Sequence, residues 1–207
     1  MTSVNILISL ACLSTLGLTG TSNLNDRMSF LRNALIASES VVPQADQNPQ
    51  PQIYRHTTPA FSFSIPSGWE EYSKTPTPGV YTKLWRVVDG VFTGSGIRFT
   101  GGPAGGITEV WNISPNDLRA GFEKEYVIRN YRTDRVTVNG KKAMRFEFDS
   151  QLAEGGKIIP IKIVGHAFLS EEPEGDYLIM ALLLSRVFEI RADNAGYMTV
   201  VNSLSLR

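Results

Sequence analysis

The 207 residues are long enough for one domain with a proper core plus an appended leader. Twenty basic and twenty acidic residues cancel, which excludes a protein recruited to nucleic acid or a charged membrane by its overall field. The single cysteine, Cys12, lies in the apolar leader, so cysteine catalysis and cysteine metal sites are excluded from the rest of the chain.

Residues 1–20 form a signal-like leader. Val4 to Leu18 is apolar enough for a signal-peptide core but too short and interrupted for a membrane span, and Leu18-Thr19-Gly20 is an acceptable cleavage site. No Lys or Arg precedes Arg27. Ser9-Leu10-Ala11-Cys12 resembles a lipoprotein box, although it stands unusually close to the N-terminus. Residues 21–52 hold a second targeting segment or an amphipathic helix, followed by a Pro/Gln linker. Arg27-Met28-Ser29-Phe30-Leu31-Arg32 reads as a degraded twin-arginine motif, with Pro43-Gln44-Ala45 as a processing site. Leu24, Met28, Leu31 and Leu35 fall equally well on one helical face. Gln44 to Gln52 lacks large apolar residues and alternates Pro with Gln, as extended linkers do.

The domain is expected over 53–207. Phe61, Phe63 and Ile65 alternate with serines, the period of a half-buried strand, before Pro66-Ser67-Gly68 turns the chain into Trp69. Val80 to Val88 and Val91 to Thr100 are predicted strands joined at Asp89-Gly90. Gly101 to Gly106 reads as a loop. Ser114-Pro115-Asn116-Asp117 begins a helix, with Ser114 as cap and Leu118, Phe122 and Tyr126 as its buried stripe. Arg132 to Val138 and Lys142 to Phe148 flank Asn139-Gly140. Placing Val136 and Val138 on the face of Met144, Phe146 and Phe148 requires an odd-numbered loop there, with Val136 opposite Met144. Ile159 to Leu169 is the next strand. Tyr177 to Leu184 is apolar at both parities, so it must be a central strand covered on both faces. Met198, Val201 and Leu204 recur at helical spacing in the stretch from Phe188. The expected fold class is therefore α/β, an α/β/α sandwich whose central antiparallel sheet is covered by helices on both faces.

Catalytic and metal motifs are scarce. His56 and His166 are the only histidines, too few for a histidine metal cluster. His166 shares the parity of Lys162 and is expected to be exposed. Nucleophile elbows and phosphate-binding Walker loops are missing from the sequence, and the glycines from Gly94 to Gly106 lack a dinucleotide setting. Glu171, Glu172, Glu174 and Asp176 read as a solvated turn, without the spacing of a calcium loop. Charge asymmetry is the functional lead. Arg129, Arg132, Arg135, Lys141, Lys142 and Arg145 stand against the single acid Asp134, around a hairpin that can present a basic patch to an acidic protein or lipid surface. Trp85 and Trp111 are candidate interface anchors or core residues.

Phe61-Ser62-Phe63-Ser64-Ile65-Pro66-Ser67-Gly68-Trp69 resembles the opening strand of PsbP-type domains, the extrinsic oxygen-evolving subunits of photosystem II and their relatives. Ser114 to Tyr126 matches the place of their first main helix. Val138-Asn139-Gly140-Lys141-Lys142 resembles their central hairpin, and Val201 to Leu206 their last helix end and closing strand. The resemblance spans 53–207. It implies a non-enzymatic subunit of the thylakoid lumen, docking through basic residues on a membrane-embedded protein complex, with peripheral membrane association and no nucleic acid. Calcium is implied by the resemblance alone, and no position here matches a metal ligand of the family. The same fold serves bacterial envelope lipoproteins and a Ran-binding transport factor, so a periplasmic or envelope binding protein is the alternative. A hydrolase or transferase using His166 and the glycine loop is the third reading.

Overall fold

A computed structural model of the chain describes residues 52–72 and 79–207. The expected leader and second targeting segment lie outside the described residues. Among the described residues there are ten strands, arranged in two antiparallel sheets, and two α-helices.

The smaller sheet has the order β1 (Ile53–Thr57), β2 (Ala60–Ser64), β10 (Ser205–Leu206). The larger sheet has seven strands. It runs β3 (Trp69–Glu71), β4 (Val80–Val88), β5 (Val91–Pro103), β9 (Tyr177–Arg186), β8 (Lys157–Ser170), β7 (Lys141–Glu154), β6 (Arg129–Val138). Helix α1 is Pro115–Phe122 and helix α2 is Ile190–Ser203.

β9 lies between β5 and β8, and Leu178 through Leu183 are all buried. Ile179, Ala181 and Leu183 enter one core, with Phe61, Phe63, Phe99, Tyr197 and Val200. Leu178, Met180 and Leu182 enter the other, with Leu118, Phe122, Phe146 and Phe148. The two-sided burial read from the sequence therefore holds.

The α/β/α sandwich does not. The described residues are 57% strand and 17% helix, with two α-helices among them. One face of the large sheet is covered by the three-stranded sheet together with α2. The other carries α1, a 3-10 turn at Val110–Asn112 and their loops. Physical size explains the difference. An eight-residue helix is about 12 Å long, whereas seven strands span about 29 Å from first axis to last. The alternating Phe61 and Phe63 supply the remaining cover as a strand, with Phe63 stacked on Phe99 at 4.4 Å between ring centroids.

Helix α1 starts as expected, Ser114 Oγ accepting from the Asp117 N–H. It ends at Phe122, and Tyr126 packs on Phe148 from the turn beyond. Three further expectations are corrected. The Asn139-Gly140 turn is a two-residue one: Val138 pairs with Lys141, Val136 with Ala143 and Arg135 with Met144. β7 is buried on both faces, so the valines join Ala143 in one core while Met144, Phe146 and Phe148 fill the other. Asn139 and Gly140 adopt φ of 48° and 79°, the left-handed pair that such a tight hairpin needs. Gly101 and Gly102 belong to β5 rather than to a loop. A Cβ on Gly101 would meet the Leu178 carbonyl oxygen at 2.1 Å, so glycine there permits close strand approach. His166 is buried, because β8 loses its exposed face where α2 crosses it.

Candidate docking surface

Among the described residues β6 is an edge strand, paired to β7 on one side only. Its sequence, Arg129-Asn130-Tyr131-Arg132-Thr133-Asp134-Arg135, keeps charge on an edge that would otherwise offer free backbone groups to another strand.

The structure spreads the six predicted basic residues along this hairpin rather than gathering them at its tip. Lys141 is beside the turn, whereas Arg129 stands nine residues before Val138, about 30 Å away along an extended strand. Residues directly opposite each other in the ladder share a face. Arg132 and Arg145 therefore lie on the α2 face, opposite Glu147 and Asp134, while Arg135 and Lys142 lie on the α1 face.

Pairing divides the six further. Arg145 bridges Asp134 at 3.4 Å and also holds Glu147. Lys142 Nζ is 2.7 Å from Glu109 Oε1 and 4.8 Å above the Trp111 ring, whose indole N–H donates to the Ala143 carbonyl. Arg129, Arg132, Arg135 and Lys141 make no ion pair among the described residues. The charge of Arg132 is felt nonetheless. Burial raises the Glu147 carboxyl, but the hydrogen bond from Arg145 and the charges of Arg145, Lys162 and Arg132 outweigh it and hold the pKa below the ordinary value. Three exposed guanidinium groups and one partly exposed ammonium group thus form a strip along the edge hairpin that no described carboxylate pairs with.

At the Arg129 end, a bulge between Arg129 and Arg132, with Asn130 at φ 52°, opens a groove of about 310 Å³. Val127, Ile161 and Val187 form its apolar wall, while Arg129 and Asp149 stand on its polar side.

The remaining candidates take structural places. His166 Nδ1 lies 2.8 Å from the Tyr197 hydroxyl, which donates to the Ala181 carbonyl at 2.9 Å. In the acidic turn, Glu172 accepts from the Ala60 N–H at 2.7 Å and faces Arg207. Among the described residues no three His, Cys, Asp or Glu side chains converge as a metal site. Trp85 packs edge-on against Tyr72 and is half-buried.

Two buried charge clusters escaped the sequence reading. Asp193 on α2, fully buried, meets Arg86 Nε at 2.6 Å and accepts from the Ser185 hydroxyl. Glu189 meets Arg86 and Ser95. On the opposite face, Arg98 pairs with Glu125 at 3.4 Å, tying the segment after α1 to β5. The only sequence signal for either was a lone arginine within an apolar alternation, as in Ile97-Arg98-Phe99.

Comparison with known proteins adds the following. No family model matches the sequence, and no curated protein matches it. Among solved structures, cyanobacterial PsbP (CyanoP) from Synechocystis sp. PCC 6803 is similar over 83% of this chain and 99% of its own, at 13% identity and a TM-score of 0.47. LpqN, involved in cell envelope biogenesis of Mycobacterium tuberculosis, is similar over 78% of this chain and 87% of its own, at 10% identity and a TM-score of 0.44. The Saccharomyces cerevisiae Ran-binding protein Mog1p is similar over 76% of this chain and 95% of its own, at 9% identity and a TM-score of 0.46. Likenesses of this size assign the chain neither a family nor a partner.

Proposed function

We propose that the chain is a non-enzymatic, extracytoplasmic docking protein, offering its β6–β7 edge hairpin to an acidic surface on a membrane-held protein complex. The observation that carries the reading is the strip of Arg129, Arg132, Arg135 and Lys141, which has no carboxylate partner among the described residues. Charges at the rim of an interface steer encounter and fix register, which suits an electrostatically captured partner. The motif order from Phe61 to Leu206 favours a PsbP-like role in the thylakoid lumen, in assembly or stabilisation of photosystem II. A bacterial envelope protein is the alternative, and the mature N-terminus separates them: processing near Ala45 supports the lumen, a lipidated Cys12 the envelope.

The test is capture of the membrane complex by the full-length protein at low and high salt, against a variant with Arg129, Arg132, Arg135 and Lys141 each changed to Glu. The expected result is a partner held at low salt, released by high salt and lost in the variant. A partner retained by the variant at low salt removes the strip from the reading.

A further inference from the structure

The large apolar side chains that the described residues leave exposed all sit at one end of the described domain. They are Ile53, Val88, Val91, Phe92, Val127, Ile158, Val187 and Phe188, and Phe188 is 74% exposed, Ile158 69% and Val91 67%. The strand registers show the clustering. Val88 pairs with Val91 at the β4–β5 tip, and Gly96 pairs with Leu184, so that tip projects beyond the end of β9, where Val187 and Phe188 follow. Ile161 pairs with both Arg186 and Ser150, so the β7–β8 tip that carries Ile158 projects beyond the same end. Val127 lines the groove there with Val187. Ile53 pairs with Ser64, two residues before the turn whose Gly68 carbonyl accepts from Val87, and so belongs to this end too.

The opposite end is polar. It carries the Asn139-Gly140 turn and the acidic 171–176 turn, the latter beside Ala60.

We infer that the apolar end is a bilayer-docking surface, inserting its hairpin tips into the interface of an anionic membrane. Three observations select a bilayer over a protein or a second copy. Val88, Val91, Phe92 and Ile158 are displayed on two separate projecting tips, with Val187 and Phe188 following β9 between them, as shallow insertion at several points requires. Basic residues flank them, Lys157 beside Ile158, Arg129 on the groove and Arg191 on the first turn of α2, against Asp89 at the β4–β5 tip, while Glu154 at the β7–β8 tip is bridged by Arg186. The chain also enters the domain here, because the Gln52 carbonyl accepts from the Ile65 N–H at 2.7 Å, and an apolar run, Val4 to Leu18, lies upstream in the sequence. Interfacial binding gains from buried apolar area and from cations near anionic headgroups together. The inference stands on residues other than those of the docking strip, Arg129 excepted.

The experiment reads insertion rather than mere attachment. In the full-length chain carrying Cys12→Ser, an environment-sensitive fluorophore is placed at Ile158→Cys, or at Asn139→Cys on the opposite end. Mixed phosphatidylcholine–phosphatidylglycerol vesicles with brominated acyl chains are then added. The inference expects quenching at 158, little at 139, and a loss of the 158 signal by about tenfold or more when Phe92 and Phe188 are both changed to Asp. Arg135→Glu with Lys141→Glu, which disturbs the proposed protein-docking strip, is expected to leave the quenching intact. Absence of quenching at 158, or equal quenching at both positions, overturns the inference. So does a lipid-independent, concentration-dependent shift at 158, which assigns the end to a second copy.

Discussion

His166 and Tyr197 form a buried relay whose direction is fixed by a third group. The Tyr197 hydroxyl gives its one proton to the Ala181 carbonyl, so its oxygen accepts from His166 Nδ1–H at 2.8 Å. The imidazole thereby carries a proton on Nδ1, and the pair joins α2 to both β8 and β9.

Protonation of that imidazole opposes folding. Burial, with a smaller contribution from the Arg145 charge, lowers its pKa from 6.5 to about 4. The unfolded chain takes up the proton first, so the neutral form's contribution is complete above about pH 6.5 and is lost as pH falls toward 4. The shift corresponds to about 3 kcal/mol. Urea denaturation between these values should show wild type losing stability with falling pH more steeply than His166→Gln, and parallel curves would contradict the assignment.

Gly165 is filled by its cross-strand neighbour. A Cβ there would meet Phe146 Cζ at 2.1 Å, inside the core under α1. Gly165→Ala should cost about 1–3 kcal/mol through forced displacement of the ring, read as a lower urea midpoint. Gly196→Ala should behave alike, because Trp69 Nε1 stands 2.4 Å from the position of that Cβ. Gly140→Ala meets no neighbour within 4 Å, so its cost comes only from φ of 79° and should be smaller than that of Gly165→Ala.

The Arg86–Asp193 pair supports the start of α2. Removing Arg86 leaves Asp193, fully buried, with the Ser185 hydroxyl as its remaining hydrogen-bond donor. Arg86→Met should therefore destabilise by about 3–5 kcal/mol, and Arg86→Met with Asp193→Leu by less. Thermal unfolding of the single and double variants checks the order. A double variant no more stable than the single one would show that the pair acts through packing.

How much of this was legible in the sequence follows from what each signal depends on. β9 was readable because a strand greasy at both parities has one solution. The Asp89-Gly90 and Asn139-Gly140 turns were readable because their backbone conformation demands those residues. The parity argument at Val136 failed because it allowed β7 only one buried face, and His166 was misplaced for the same reason at β8. Burial on a second face is decided by what crosses the strand, here α2 with Tyr197, and strand alternation carries no record of that. The helical covers were overestimated because the cover from β1, β2 and β10 joins residues more than a hundred positions apart. The basic residues were identified by composition, but their division into paired and unpaired members required Glu109, Asp134 and Glu147 to be placed opposite them.

The central claim is that the unpaired edge of β6 meets a partner, and site-specific photocrosslinking tests it most directly. A photoreactive residue replacing Arg135 in the full-length protein, in its native membranes, should capture a discrete acidic partner in a salt-sensitive manner, while one replacing Glu70 on the opposite edge strand should capture little. A partner captured only from Glu70, or capture at 135 unchanged by salt, would contradict it.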